Sequence, residues 1–188
     1  MASLDRAYFD AMYRSDPDPW QFESSWYEHR KYALTVAALP DRRYRYGFEP
    51  GCSIGVLTSL LARRCDRLLA TDIVPDVLDR ARRRMPEADR VRFELRAIPE
   101  DWPDGPFDLV VLSEIAYYFD AETLEGVADR LGATTTTGAT VIGVHWRGST
   151  NYPLTGEEAH TILAAHPSLR LRAHHLEPDF VLDVWERS

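Results

Sequence analysis

The segment Glu49-Pro50-Gly51-Cys52-Ser53-Ile54-Gly55 joins a strand to a helix. Before it, Tyr44 to Phe48 reads as a strand. After it, Ile54, Leu57, Leu60 and Leu61 recur at helical spacing through Arg64. Gly51 and Gly55 permit a sharp turn and let backbone approach a ligand closely. The start of the following helix offers free amide groups at the same place. The spacing is acid-x-Gly-x-x-x-Gly, which differs from the dinucleotide pattern, where one residue separates the first two glycines. An ordinary strand-to-helix turn would use the same residue types.

Outward from this turn the two periods keep alternating. Leu68-Leu69-Ala70-Thr71 is a short apolar run ending at Asp72 and reads as a buried strand. Pro75 to Met85 reads as a helix with proline in its first turn. Its arginines, Arg80, Arg82, Arg83 and Arg84, read as a solvated face. Val91 to Leu95 alternates, and Phe107 to Leu112 is a continuous apolar strand. Ala121 to Leu131 is helical, Thr134 to Thr137 a loop, and Ala139 to Trp146 a strand rich in β-branched residues. Thr155 is placed to cap a helix running to Ala165. Ser168 to Leu176 and Phe180 to Trp185 are two more strands, joined by Glu177-Pro178-Asp179. That link is too short for a crossover, so the pair is expected antiparallel, one strand inserted beside the other. The order predicts an α/β fold, with a mostly parallel sheet covered by helices on both faces. Residues 1–40 form an aromatic leader ahead of a single domain, residues 41–188.

The chain has 188 residues, of which 45% are hydrophobic, enough for a sizeable core. The formal net charge of −8 disfavours a nucleic-acid protein that reads phosphate through a basic face. No apolar run approaches the ~20 residues of a membrane helix, and Met1 to Arg6 has no apolar signal core. The two cysteines, Cys52 and Cys65, make no disulfide scaffold. The six histidines show no metal-ligand spacing, so no metal is expected. A soluble cytoplasmic domain, monomer or homodimer, acting on a small molecule is the expectation.

Asp72 ends the second strand, 72 − 51 = 21 residues after the first glycine. An acid at that place is suited to accept both hydroxyls of a ribose, which points to a nucleoside-containing ligand. A strand-terminal aspartate also caps a following helix.

Here the sequence resembles class I S-adenosylmethionine-dependent methyltransferases, and within them the nodulation protein S-like group. The resemblance rests on Asp16-Pro17-Asp18-Pro19-Trp20, Tyr27-Glu28-His29-Arg30-Lys31 and Gly51-Cys52-Ser53-Ile54-Gly55. It continues in Phe107-Asp108-Leu109-Val110-Val111 and Glu114-Ile115-Ala116-Tyr117-Tyr118. It implies a Rossmann-like, seven-stranded sheet with an antiparallel last strand, S-adenosyl-L-methionine as cofactor, and a helical leader that closes over it. By the same resemblance Glu49, Gly51 and Gly55 lie against the methionine portion, Asp72 holds the ribose, and Ile98 packs on the adenine. Backbone around Ala97 reads the adenine edge; many members carry an acid where Ala97 stands. Cys52, Ile73 and Ser113 complete the expected cofactor set. Trp20 and Lys31 match the closing leader, and a cation at 31 could pair with the methionine carboxylate.

On the acceptor side, Glu114 follows a strand end, where ligands of open sheets sit. A carboxylate there can draw in a cationic amine and help remove its proton. A helix cap or structural ion pair is the alternative. His145 lies at another strand end, and its ordinary pKa near ~6.5 suits a general base. A satisfied buried histidine is equally compatible. Tyr117, Tyr118, Trp146 and Tyr152 are expected to line the acceptor pocket, with one of the adjacent tyrosines turned to the core. Transfer of a methyl group to an amine nitrogen is the leading expectation. The alternatives are a hydroxyl acceptor, a non-catalytic cofactor-binding module, and a nicotinamide oxidoreductase whose glycine spacing is absent.

Overall fold

The computed structural model describes residues 2–86 and 89–188. Its core is a seven-stranded sheet of β1 (Tyr44–Pro50), β2 (Cys65–Asp72), β3 (Val91–Leu95), β4 (Phe107–Ser113), β5 (Thr135–Trp146), β6 (Leu169–Leu176) and β7 (Phe180–Arg187). The spatial order is β3-β2-β1-β4-β5-β7-β6. β1 to β5 pair in parallel, and β7 inserts antiparallel between β5 and β6. This is the topology that the alternation and the short Glu177-Pro178-Asp179 link predict, and the class I methyltransferase fold that the resemblance implies. The order reverses between β1 and β4, so the carboxyl ends of those strands flank a natural crevice.

Both faces of the sheet are buried along its central strands, which is why these are continuously apolar. Along β4, Val110 and Leu112 enter one core with Leu124, Val127 and Leu163. Leu109 and Val111 enter the opposite core with Tyr32, Leu57 and Leu61. The first core is covered by α5 (Ala121–Thr134) and α6 (Gly156–Ala165). The second is covered by α2 (Trp26–Ala37) and α3 (Val56–Leu61). Thr155 caps α6 as expected, in a reciprocal box: Glu158 N–H donates to Thr155 Oγ1 at 3.2 Å, and Thr155 N–H donates to Glu158 Oε2 at 2.8 Å.

Three local expectations are corrected. The helix expected over 54–64 is only Val56–Leu61, because Ser53 (φ 48°) and Gly55 (φ 80°) hold left-handed conformations that no helix continues through. The threonine run is not a loop: Thr134 ends α5 and Thr135 begins β5, pairing opposite Phe107. Threonine's β-branch suits that edge. The arginines of α4 (Pro75–Arg84) are not all solvated: Arg80 donates to Pro17 O at 2.6 Å, and Arg84 donates to Ile54 O at 2.9 Å and pairs with Glu23.

Those contacts dock the leader. α1 (Arg6–Ser15) is pinned at its start, where Leu4 N–H donates to Tyr118 O at 2.8 Å and Ser3 Oγ donates to Asp120 Oδ2 at 2.9 Å. Tyr13 shares a hydrogen bond with Ser53, and Arg30 makes a bidentate pair with Glu177 at 2.6 and 2.8 Å. The leader therefore lies across the carboxyl ends of the strands.

Candidate active site

The glycine turn builds the floor of the cleft. Gly51 (φ 71°) brings backbone close to the turn after β4: a Cβ there would sit 3.0 Å from Ile115 Cδ1. At Gly55 a Cβ would meet Ala81 of α4 at 2.9 Å from its Cβ and 3.1 Å from its Cα. Replacing Gly55 with alanine combines that clash with a left-handed penalty of about 1–2 kcal/mol. We expect the thermal midpoint of Gly55→Ala to fall by at least about 3 °C. An unchanged midpoint would show that neither the Ala81 contact nor the left-handed backbone costs stability at this position.

Asp72 is tied into the same turn. Its Oδ2 accepts from Ser53 N–H at 2.9 Å and its Oδ1 from Val74 N–H at 3.0 Å. Each oxygen keeps a further lone pair. Burial raises its pKa to about 6. Glu49, at the end of β1, is 2% exposed, and burial raises its pKa to about 8. Among the described residues its Oε2 has no hydrogen-bond partner. An orphaned buried carboxyl oxygen at a binding cleft is a group awaiting a donor.

Both acids line one cleft of about 950 Å³, its open mouth included. Gly51, Cys52, Ile73, Ile98 and Ser113 also line it, as do Trp20, Tyr13, Phe9 and Leu4 from the first twenty residues. Gly55 and Ala97 stand outside the lining; Gly55 acts by shaping the turn. Ile115 and Phe119, in the Glu114 to Phe119 stretch expected beside the acceptor, line the cleft too, and Arg96 lines it without having been anticipated. Arg96 follows the end of β3, so the strand-end rule that selected Asp72 could have found it. Tyr13 and Phe9 carried only their membership of an aromatic leader as a signal.

Glu114 lines the cleft where β4 ends and holds a strained left-handed φ of 55°. Its carboxylate is a hub. Oε1 accepts from Lys31 Nζ, while Oε2 accepts from Tyr117 OH and from Trp146 N–H at 3.0 Å. Lys31 is not in the cleft, contrary to expectation. It is 1% exposed and clamped between Glu114 and Glu28, the latter at 2.9 Å. Burial works to lower its pKa, but the two carboxylates outweigh that and raise it. Lys31 is thus spoken for, and no pairing with a cleft ligand is available without breaking a buried ion pair.

The base expected at His145 is likewise corrected. The ring is fully buried, and its Nε2 accepts from the Ala116 backbone N–H at 3.0 Å. Its Nδ1 lies 2.9 Å from His160 Nε2. Burial, with His160 and Lys31 nearby, pushes its pKa well below the ordinary value. Both nitrogens are engaged, so His145 has no lone pair to offer an acceptor. Of the tyrosine pair, Tyr118 lines the cleft and Tyr117 turns inward to Glu114. Tyr152 packs behind them, 4.8 Å from the Tyr118 ring and 5.0 Å from that of Tyr117. Trp146 stacks edge-on with Tyr27 at 5.5 Å. Neither Tyr152 nor Trp146 lines the cleft; they back its wall.

The nodulation protein S family model matches residues 12–143. Nodulation protein S of Rhizobium tropici is 31% identical over 102 residues, 54% of this chain and 43% of that relative. Nodulation protein S of Bradyrhizobium diazoefficiens is 30% identical over 54% of this chain and 49% of its own length. The chain thus matches less than half the length of these relatives. A candidate methyltransferase from Pseudomonas syringae has a solved structure, 41% identical, with a TM-score of 0.77 over 87% of this chain and 100% of that one. The N-methyltransferase NodS from Bradyrhizobium japonicum WM9, solved with S-adenosyl-L-homocysteine, superposes with a TM-score of 0.86 at 22% identity, over 97% of this chain and 99% of that one. That likeness establishes the shared fold. The sequence match, running from the leader into β5, shows that this chain belongs to the nodulation protein S family.

Proposed function

We propose that the chain transfers a methyl group from S-adenosylmethionine to an amine nitrogen of a small molecule, an amino sugar or a natural-product intermediate. The observation that carries the proposal is the pair of buried acids in one cleft at the switch point of the sheet. Glu49 offers an orphaned carboxyl oxygen, and Asp72 offers free lone pairs beyond the glycine turn. A cationic ammonium fits the first and a ribose diol the second. Nodulation protein S itself has been solved with the product of that cofactor.

When bound, the cofactor supplies a methyl group already activated on a sulfonium. The protein's task is then alignment, worth up to about 7–11 kcal/mol in model systems. In this reading Glu49 holds the ammonium and Asp72 the ribose. Ile73 and Ile98 flank the base, while Trp20, Tyr13 and Phe9 exclude water from above. Glu114 is the group we assign to the acceptor. Its oxygens already take three donors, so it attracts and orients the acceptor as an ammonium ion, which must give its proton to bulk water before transfer, because only the neutral amine has the lone pair that accepts a methyl group. Tyr118 forms the adjoining wall. We extend the proposal to a cytoplasmic protein that acts alone or as a homodimer; among the described residues no helix is long and apolar enough to cross a membrane.

The test is S-adenosylhomocysteine release during a screen of amines and amino sugars, with hydroxyl compounds in parallel. Release with amines supports the proposal, release with hydroxyl compounds alone redirects it, and cofactor binding without any release marks a binding module. Glu114→Gln is expected to lower release about 10- to 100-fold, the worth of one charge-assisted contact, with cofactor affinity retained. Normal turnover by that variant would reject the acceptor assignment.

A further inference from the structure

A continuous series of side chains runs behind the Glu114–Tyr118 wall. Ala116 N–H donates to His145 Nε2 at 3.0 Å, and His145 Nδ1 meets His160 Nε2 at 2.9 Å. His160 Nδ1–H donates to Asp183 Oδ2 at 2.7 Å, and His174 Nδ1–H donates to Asp183 Oδ1 at 2.6 Å. β5, α6, β7 and β6 each contribute one member. His145, His160 and Asp183 are all buried; His174 stands half-exposed on the edge strand.

The protons in this series can be placed by bookkeeping of donors. A backbone N–H only donates, so His145 Nε2 must carry a lone pair, and its proton sits on Nδ1. His160 Nε2 must then accept, which puts the His160 proton on Nδ1, where only a carboxylate oxygen awaits it. Burial works to raise the Asp183 pKa, but the hydrogen bonds from His160 and His174 outweigh it and hold the carboxyl below its usual range. Asp183, two hydrogen bonds away, therefore enforces from the other end the same His145 tautomer that the Ala116 amide requires. Ala116 is buried and opens a single helical turn, Ala116–Tyr118, whose first amides have no partner within the turn. That turn presents Tyr118 to the cleft and begins two residues after Glu114.

We infer that His160 and Asp183 are positioning residues for this wall of the cleft. They select the His145 tautomer that accepts the Ala116 amide. The role assigned to the wall, acceptor recognition, rests on the function proposed above; the proton order does not. The series is closed at its inner end by a backbone amide, so it fixes geometry and carries no proton to or from the cleft. The same residues do not converge on a metal ion among the described residues.

Nitrogen-15 spectra of the histidine rings test this on the ligand-free protein between pH 6 and 8. The titratable groups set around His145 are His160 from α6 and Lys31 from α2, with Tyr117 and Glu114 from the cleft wall and Asp183 and His174 beyond. The expected spectrum has His145 neutral throughout, with the proton it shares toward His160 on its own Nδ1 and the His160 proton facing Asp183 on Nδ1. A His145 proton on Nε2, or titration of His145 within that range, overturns the inference. Asp183→Ala should mix the His145 tautomers and speed hydrogen exchange at the Ala116 amide about tenfold or more beyond any change in the β1–β2 pairing. Asp183→Asn should restore both, because its amide oxygen still accepts from His160 Nδ1–H. Unchanged tautomers in the alanine variant, or no rescue by asparagine, contradicts the inference. Calorimetry with S-adenosylhomocysteine on the same samples reports separately on the proposed function, since the ring and exchange signals need no ligand.

Discussion

Asp72→Ala is expected to weaken S-adenosylhomocysteine binding about a hundredfold or more. A hydrogen bond to a charged acceptor is worth roughly 1.5–3 kcal/mol, and a diol offers two, giving about 10²–10⁴ in affinity at ~1.4 kcal/mol per decade. The variant also strips the Ser53 and Val74 amides of their acceptor, which loosens the glycine turn itself. Thermal unfolding of the variant separates that loosening from a global loss of fold. Titration calorimetry reads the affinity, and a value within a few-fold of wild type would remove Asp72 from the ribose role.

The second large effect is with pH. Affinity for S-adenosylhomocysteine should climb as pH rises from about 5 toward 8, with a limiting slope near tenfold per unit above about 6. The sign follows from burial, which raises Glu49 to about 8 and Asp72 to about 6 in the ligand-free protein. At pH 7 Glu49 is mostly protonated, whereas an ammonium beside Oε2 favours its carboxylate. Binding must therefore expel a proton, and acid opposes it; below about 6, Asp72 adds to the slope. The free protein should show the mirror image. A carboxyl whose pKa is raised on folding contributes stability that is full below about 4.5 and is lost as pH climbs to about 8. Calorimetry in buffers of different ionisation enthalpy counts the released proton directly. Glu49→Gln should flatten the profile between pH 6 and 8. A wild-type profile already flat over that range would show that Glu49 takes no cation from the ligand.

What the sequence made legible follows from which interactions are local. Strand-helix alternation survives translation into structure because a sheet buried on both faces needs runs such as Phe107–Leu112, and the short 177–179 link leaves the last pair no parallel option. Gly51 and Asp72 were readable because a turn and a strand end impose their residue types locally. The failures at the site involve a partner far along the chain. Lys31 looked free for a ligand, but its counter-charge Glu114 lies 83 residues away. His145 does sit at a strand end, yet the alternation of β5 points it to the face covered by α6, where His160 takes its Nδ1. The adjacent tyrosines could be recognised as a pair but not assigned, because the turn that separates their directions depends on the Ala116 amide finding His145. The threonine run misled for a different reason: turn-like composition yielded to the β-branch once Phe107 supplied a neighbouring strand.

A crystal structure of this chain grown with S-adenosylhomocysteine would bear on all of these points at once. We expect the ligand's ammonium within hydrogen-bond reach of Glu49 Oε2 and both ribose hydroxyls on the Asp72 carboxylate, beneath Trp20 and Tyr13. A ligand seated away from the Gly51 turn, or with its ribose remote from Asp72, would contradict the assignment of the cleft.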